Sequence, residues 1–285
     1  MAEISALMVK DLRDKTGAGM ADCKKALVDA EGDMNLAIEI LRKKGAASAA
    51  KRADKSANEG MIVALTSPDG NTASILEINC ETDFVARNQE FVDYVNLVAQ
   101  ALLENDVNNA DDLYKLSANG NNIVDIHNEI LSKFSEKIEA RRLERWTSDG
   151  YVTAYIHAGN KLAVLLEVNT PINGDESQSL VRDIAMQIAA MNPQYVERSQ
   201  VNSETLMKEI EIYKQQAIEQ GKKEEIAERI AQGRLEKFYS ENCLIEQAFV
   251  KDGNMNISDV LKKISEIQGT EVKVNRFVRF ALGEA

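Results

Sequence analysis

The chain has 285 residues, with 46 acidic against 34 basic side chains and a formal net charge of -12 at pH 7. This acidic balance argues against a nucleic-acid-binding protein, because phosphate contacts depend on clustered Lys and Arg. The length exceeds the roughly 100 to 200 residues of one domain, so we expect two or more folded units. No apolar run approaches the roughly 18 residues of a membrane span, and the N-terminus lacks a secretory pattern, which predicts a cytoplasmic protein.

The residue types that usually carry chemistry are scarce. Cys23, Cys80 and Cys243 stand far apart without CxxC spacing, which predicts three buried or inert thiols. His127 and His157 are the only histidines, and neither lies in a metal-ligand or triad pattern. The glycines form no phosphate-binding loop. These absences disfavour an enzyme and predict neither cofactor nor metal.

The first 59 residues predict a small helical unit and a linker. Apolar residues recur at helical spacing through residues 1–45 and are interrupted by TGAG at 16–19 and by EGD at 31–33, which predicts three short helices. Gly45 is expected to end the third. Residues 46–59 are rich in Ala, Ser and Lys without a large apolar residue, which is typical of a linker.

Two similar β-hairpins follow, in core halves predicted at residues 60–145 and 146–200. Each hairpin precedes an amphipathic helix, and Gly60 aligns with Gly150 without gaps. The shared Leu-Glu-x-Asn exit places Glu77 on Glu167 and indicates a duplication. Residues 108–145 between the hairpins are predicted to be helical, with the basic ARRLER segment on a solvated face.

The last third predicts two further units. Residues 201–242 carry two apolar stripes about a Gly-Lys-Lys turn, typical of an antiparallel coiled-coil hairpin. Residues 243–285 contain a helix, ISDVLKKISEIQ, and an alternating strand, EVKVNRFVRFAL, that should join a sheet of the core. The predicted fold class is α+β.

The segment ETDFVARN at residues 81–88 is unusual between the first hairpin and its helix. In one interpretation, Phe84 packs under the helix and Asp83 caps a turn. In the other, an aromatic wedge beside a carboxylate inserts into a partner's pocket near a cation or a phosphate. The residues alone leave both open.

Two stretches resemble signatures of one bacterial protein family. ETDFVAR at 81–87, preceded by EINC at 77–80, resembles the second signature of the elongation factor Ts family. LRDKTGAGMADCKKAL at 12–27 resembles its N-terminal signature. The order of the units, including IAERIAQGRLEKF at 226–238 in the predicted hairpin, resembles that family over essentially the whole chain.

The resemblance implies guanine-nucleotide exchange on elongation factor Tu, bound in its GDP and nucleotide-free states, with no cofactor, no metal site, no direct nucleic-acid contact and no membrane. It implies that the N-terminal unit is a ubiquitin-associated-like domain that docks on the partner's nucleotide-binding domain through Arg13, Met20 and Lys24. A homodimer and a 2:2 complex with the partner both stay open.

The resemblance also assigns the exchange residues. Asp83 and Phe84, flanked by Thr82 and Val85, would intrude between partner helices beside the Mg²⁺ site and loosen the metal and the phosphate loop. Gln187 stands where the family often has a histidine. Further contacts in the second core half and the C-terminal module are implied at Leu162, Ala163, Gln187 and Val250.

The residues leave two other functions open. One is a purely structural coiled-coil scaffold. The other is an enzyme whose site lies between the core halves, with Glu77 and Glu167 as paired carboxylates; at equivalent strand positions, these side chains are expected to face solvent or to pair with Lys.

Overall fold

The computed structural model describes residues 4–52 and 54–284. Residues 1–3, 53 and 285, which belong to the predicted N-terminal unit, linker and C-terminal module, lie outside the described residues. The fold is α+β, with helices packed on antiparallel sheets.

Three helices at the N-terminus enclose a small core of their own. They are α1 (Ala6–Thr16), α2 (Met20–Asp29) and α3 (Met34–Lys51). The Ser5 hydroxyl accepts a hydrogen bond from the Met8 N–H at the start of α1, and Gly17 ends that helix with φ of 65°. Leu12, Cys23 and Leu27 lie in the shared core.

The first core half is a three-stranded sheet covered by helices. Its elements are β1 (Glu59–Thr66), β2 (Thr72–Cys80), α4 (Asp83–Ala86), α5 (Gln89–Glu104), α6 (Ala110–Tyr114), β3 (Ser117–Ala118), β4 (Asn121–Asn122), α7 (Ile123–Phe134) and β5 (Glu139–Thr147). The sheet order is β1-β2-β5, with both pairs antiparallel. Phe91 and Leu102 of α5 are buried in the core beneath this sheet.

The second half repeats this layout and receives its third strand from the C-terminus. It contains β6 (Tyr151–Ile156), β7 (Leu162–Val168), α8 (Asp175–Met191), the helical hairpin α9 (Ser203–Glu219) and α10 (Glu224–Asn242), β8 (Ala248–Phe249), β9 (Asp252–Asn256), α11 (Ile257–Gln268) and β10 (Val274–Ala281). The sheet order is β10-β7-β6. The predicted terminal strand therefore joins the core, as the sequence indicated.

The two sheets contact each other through one apolar layer. Ile75 and Trp146 of the first sheet share a buried cluster with Leu165 and Phe280 of the second. The Ile62 N–H also donates to the Asn160 carbonyl at 2.8 Å. Each sheet thus buries both faces, one against helices and one against the other sheet, which explains the nearly continuous burial of β2 and β7.

Two expectations about secondary structure are wrong. Gly45 does not end its helix: α3 continues to Lys51, and Gly45 is buried where α3 crosses α7. A Cβ at Gly45 would lie 2.8 Å from the Asn128 carbonyl oxygen, so glycine serves close helix packing here. The ARRLER segment lies in strand β5, where Arg142 pairs with Glu77 of β2 across the ladder. The charge of Arg142 compensates the buried carboxylate of Glu77. A helical pattern in the sequence gives no sign of such a cross-strand pair.

Candidate partner-binding site

The ETDFVARN segment forms a short helical turn between β2 and α5. Thr82 caps α4, its hydroxyl accepting from the Val85 N–H at 3.4 Å, and Asn88 caps α5. Val85 is buried in the core of the first half. The turn therefore directs Val85 into the core and leaves the side chains of Asp83 and Phe84 exposed.

Phe84 is the exposed residue of this turn. Its side chain is 85% exposed, although phenylalanine usually lies in a protein interior. The interpretation that Phe84 packs under the helix is therefore wrong, because Val85 occupies the inward position of α4. An aromatic ring left in water on a capped turn has the form of an anchor for a partner pocket.

Asp83 lies beside Phe84 at the first position of α4. Its carboxylate forms an ion pair with Arg87 at 3.1 Å, and both side chains are exposed. Such an exposed pair contributes at most about 0.5 kcal/mol to stability. Asp83 can therefore exchange Arg87 for another partner at small cost.

Glu136 fixes the backbone of the turn from a distant part of the chain. Its Oε2 accepts the N–H groups of Glu81 and Thr82, each at 3.1 Å, and its Oε1 accepts the Thr82 hydroxyl at 2.6 Å. The sequence does not reveal the role of Glu136, because an isolated Glu after α7 carries no pattern that links it to the motif.

Glu81 is held in turn by Arg52, the residue after α3. Arg52 donates to both carboxylate oxygens, from Nε at 2.7 Å and from a terminal nitrogen at 2.6 Å. The Lys137 N–H donates to Glu81 at 2.7 Å. The Arg52 contacts, more than any other group, hold the pKa of the Glu81 carboxyl at about 2, so it stays ionised near neutral pH.

Cys80 lies directly before the turn and is completely buried. Its Sγ donates to the Thr82 carbonyl at 3.2 Å. Burial raises the pKa of the thiol to about 12. Because the thiolate is the reactive form, this cysteine fits the predicted inert thiol.

The N-terminal candidates lie on the surface of the helical unit. Arg13 lies on α1, and Met20 and Lys24 lie on α2; all three side chains are exposed. Met20 is accompanied by other exposed apolar side chains of this unit, among them Val28 and Leu36. These residues are accessible to a partner.

The candidates of the second half differ in accessibility. Val250 is 44% exposed, and it lines a cavity of about 350 Å³ together with Leu162 and His157. Ala163 and Gln187 are completely buried, so neither side chain is exposed to a partner in this structure. Ala163 instead fills the layer between the sheets.

Gln187 supports the loop that carries Val250. Its side-chain nitrogen donates to the Ala248 carbonyl at 3.0 Å and to the Gln247 side chain at 3.1 Å. Its side-chain oxygen accepts the Val250 N–H at 2.8 Å. The buried amide thus uses its donor and its acceptor to hold the β8–β9 connection, which places it behind the surface.

The paired carboxylates of the alternative enzyme site are occupied by structural contacts. Glu77 is fully buried and bound by Arg142 at 2.6 Å and Arg141 at 3.4 Å. Glu167 is buried and bound by Arg276 at 2.5 Å and by the Ser148 hydroxyl at 2.6 Å. The expectation of solvent-facing or Lys-paired side chains is wrong, because both carboxylates are buried in the sheets and each is paired with arginine.

Within residues 4–52 and 54–284, no cluster of three or more His, Cys, Asp or Glu side chains is arranged to hold a metal ion. No helix in those ranges is both long enough and apolar enough to cross a bilayer.

Comparison with known proteins identifies the family. The family model described as elongation factor TS matches residues 81–284. A protein named elongation factor Ts from Chloroherpeton thalassium is 47% identical, with all of both chains covered. Its namesake from Prosthecochloris aestuarii is 48% identical over 99% of this chain and all of the relative. That from Clostridium kluyveri is 44% identical over 99% of this chain and 93% of the relative. The chain belongs to the elongation factor Ts family.

Proposed function

We propose that this translation elongation factor, a nucleotide exchange factor by its family, binds elongation factor Tu and speeds GDP release through the turn that carries Asp83 and Phe84. The observation that carries the proposal is the 85% exposure of Phe84 on a capped, anchored turn. Phe84 enters a partner pocket beside the Mg²⁺ site, and Asp83 disturbs the metal and its phosphate contacts.

Exchange without covalent chemistry requires coupling between two binding equilibria. A nucleotide held with nanomolar affinity has about 12 kcal/mol of binding free energy, and a factor speeds release by favouring a partner conformation in which part of that energy is lost. The coupling is reciprocal, so GDP weakens the factor's binding as much as the factor weakens GDP binding. The ternary complex is therefore transient, and GTP completes the cycle.

The other units enlarge the interface. The three N-terminal helices form a ubiquitin-associated-like unit that docks through Arg13, Met20 and Lys24. Val250 and Leu162 supply a second surface, with Gln187 holding the Val250 loop from behind. Helices α9 and α10 form a coiled-coil hairpin at the periphery.

Replacing Phe84 tests the proposal directly. Loss of a desolvated aromatic anchor costs about 2 to 4 kcal/mol, so Phe84→Ala should slow GDP release about 30- to 1000-fold. Its melting temperature should stay near that of the parent, because the ring is exposed. Stopped-flow release of labelled GDP measures the first effect and calorimetry the second.

Met207→Ala is the matched control, since it removes an exposed apolar side chain from α9. It should leave release unchanged. Normal release by folded Phe84→Ala protein would refute the proposal. Asp83→Ala should slow release more mildly, and its defect should shrink in EDTA, because part of the carboxylate's effect acts through the metal.

A further inference from the structure

The exposed turn is fixed by side chains that lie outside the motif. We propose that Glu136 and Arg52 are positioning residues of the exchange turn, and that through them the docking of helix α3 sets the geometry in which Phe84 meets the partner. The inference rests on the proposed function of Phe84 and adds two residues that act through the turn.

Glu136 determines how the cap of α4 works. The Thr82 hydroxyl has one proton, which it donates to Glu136 Oε1 at 2.6 Å. Its lone pairs are then directed to the Val85 N–H, the cap contact of α4. Glu136 Oε2 meanwhile binds the two preceding backbone N–H groups. One carboxylate therefore sets the rotamer of the cap and the path of the backbone leading to Phe84.

Arg52 connects this turn to the N-terminal helices. It directly follows α3, and its guanidinium binds Glu81 through two hydrogen bonds. Glu81 also binds the N–H of Lys137, the neighbour of Glu136. The Arg52 and Glu81 side chains are 35% and 15% exposed, so water screens their interaction less than it screens a surface pair.

The α3 helix is itself packed against the first core half. The Ser132 hydroxyl of α7 donates to the Leu41 carbonyl at 2.7 Å, and Gly45 allows the two helices to approach closely. A continuous series of contacts thus leads from α7 to α3, and from there through Arg52 and Glu81 to the turn. A shift of α3 would remove one anchor of the turn, while Glu136 would retain the other.

We expect the anchoring of the turn to affect the rate of GDP release more than the affinity of the factor for its partner. The other surfaces of the protein hold the partner, so a loosened turn should leave the half-saturating concentration nearly unchanged. Some of the energy from inserting Phe84 would instead order the turn, which lowers the release rate at saturation. Partial unfolding would have the opposite signature, because it reduces the active concentration and leaves the plateau unchanged.

The test measures GDP release from elongation factor Tu over a range of concentrations of the full-length factor. Glu136→Gln and Arg52→Gln should each lower the plateau, by about tenfold for Glu136→Gln and less for Arg52→Gln. Arg276→Gln is the matched control: it removes an arginine from the buried Glu167 of the other half and should leave the plateau unchanged. If Glu136→Gln folds poorly, Arg52→Gln still tests the inference, because Arg52 lies near the surface and its replacement should disturb folding less.

A double-mutant cycle separates positioning from general damage. If Glu136 acts through Phe84, then Glu136→Gln should add less than twofold to the defect of Phe84→Ala, because the ring that it positions is gone. Full additivity, or unchanged plateaus for both single variants, would overturn the inference and leave the role of Phe84 intact. A normal rate for Phe84→Ala alone would instead refute the proposed function.

Discussion

The imidazole of His127 is half-buried and packs against two tyrosines of the first core half. Its Nδ1 lies 2.8 Å from the Tyr94 hydroxyl, and its ring centroid lies 4.6 Å from that of Tyr114. Burial lowers the pKa of His127 to about 4. The ring is therefore neutral in the folded protein at pH values where an unfolded histidine, with pKa near 6.5, is protonated.

This depressed pKa predicts a pH-dependent stability. Between pH 6.5 and pH 4 the unfolded chain binds the proton that the folded protein refuses, so the free energy of unfolding falls as the pH falls. From pH 7 to pH 5 the loss due to His127 should be about 2 kcal/mol. His127→Gln should remove that part of the pH dependence.

Urea unfolding of the parent and the variant at pH 7 and pH 5 measures the difference. His157→Gln is the control, because it replaces an exposed histidine. Equal pH dependence of the parent and His127→Gln would contradict the prediction.

The orientation and the contacts of single residues at the turn could be predicted from the sequence only in part. The ETDFVAR motif is recognisable in the sequence, but whether Phe84 faces inward or outward is not, because a four-residue helix carries too few positions for a periodic pattern. Glu136 and Arg52 were out of reach for another reason. They contact the turn across 54 and 29 residues of chain, and such pairing leaves no local signal.

Helix α3 packs across α7 and so joins the N-terminal helices to the core. Its polar contacts include Arg42 with Glu129 and Ser132 with the Leu41 carbonyl. Residues 46–59, rich in Ala, Ser and Lys without a large apolar residue, are typical of a linker, and Gly45 is typical of a helix end. Small residues also permit close helix packing, and the sequence alone does not distinguish these uses.

Gly45→Ala should weaken this crossing. The added methyl group would lie 2.8 Å from the Asn128 carbonyl oxygen and closer still to the Ser132 side chain, and such overpacking typically costs about 1 to 3 kcal/mol. The higher helix propensity of Ala returns about 1 kcal/mol. The expected net result is faster proteolysis after α3 and slower exchange.

Gly233→Ala provides the matched comparison. Gly233 lies within α10, and a Cβ there would have no neighbour within 4 Å. This substitution should raise the stability by up to about 1 kcal/mol through helix propensity alone. If both variants were stabilised equally, Gly45 would have no packing role.

At the scale of the whole molecule, the N-terminal helices and the core have separate apolar interiors. The cluster around Leu12 and Leu27 draws only on the first helices, whereas the sheet clusters begin at Met61 and Ile62. The two hairpins were predictable from their β-rich runs and turns, but the third strand of the first sheet, β5, was not, since its segment was expected to be helical. The packing of the two sheets against each other was not predictable either, since strands buried on both faces lose the alternation that would show a partner layer.

Removing residues 1–54 should leave a folded core with greatly weakened exchange. The core keeps its apolar clusters, while the factor loses Arg13, Met20 and Lys24 and the Arg52 anchor of the turn. Circular dichroism and the GDP-release assay measure the two properties. Full activity in a folded truncation would contradict a docking role for the N-terminal helices.

The distant anchoring of the turn has a consequence for biosynthesis. Glu81 and Thr82 of the ETDFVAR motif are translated 55 and 54 residues before Glu136, whose carboxylate completes their hydrogen bonds. A nascent chain that has emerged only as far as α6 contains every residue of the motif but lacks the group that fixes its cap. The three N-terminal helices, built from local contacts, can fold well before then. The three N-terminal helices can therefore fold early in synthesis, whereas the turn that carries Asp83 and Phe84 becomes ordered only after α7 and Glu136 have been made.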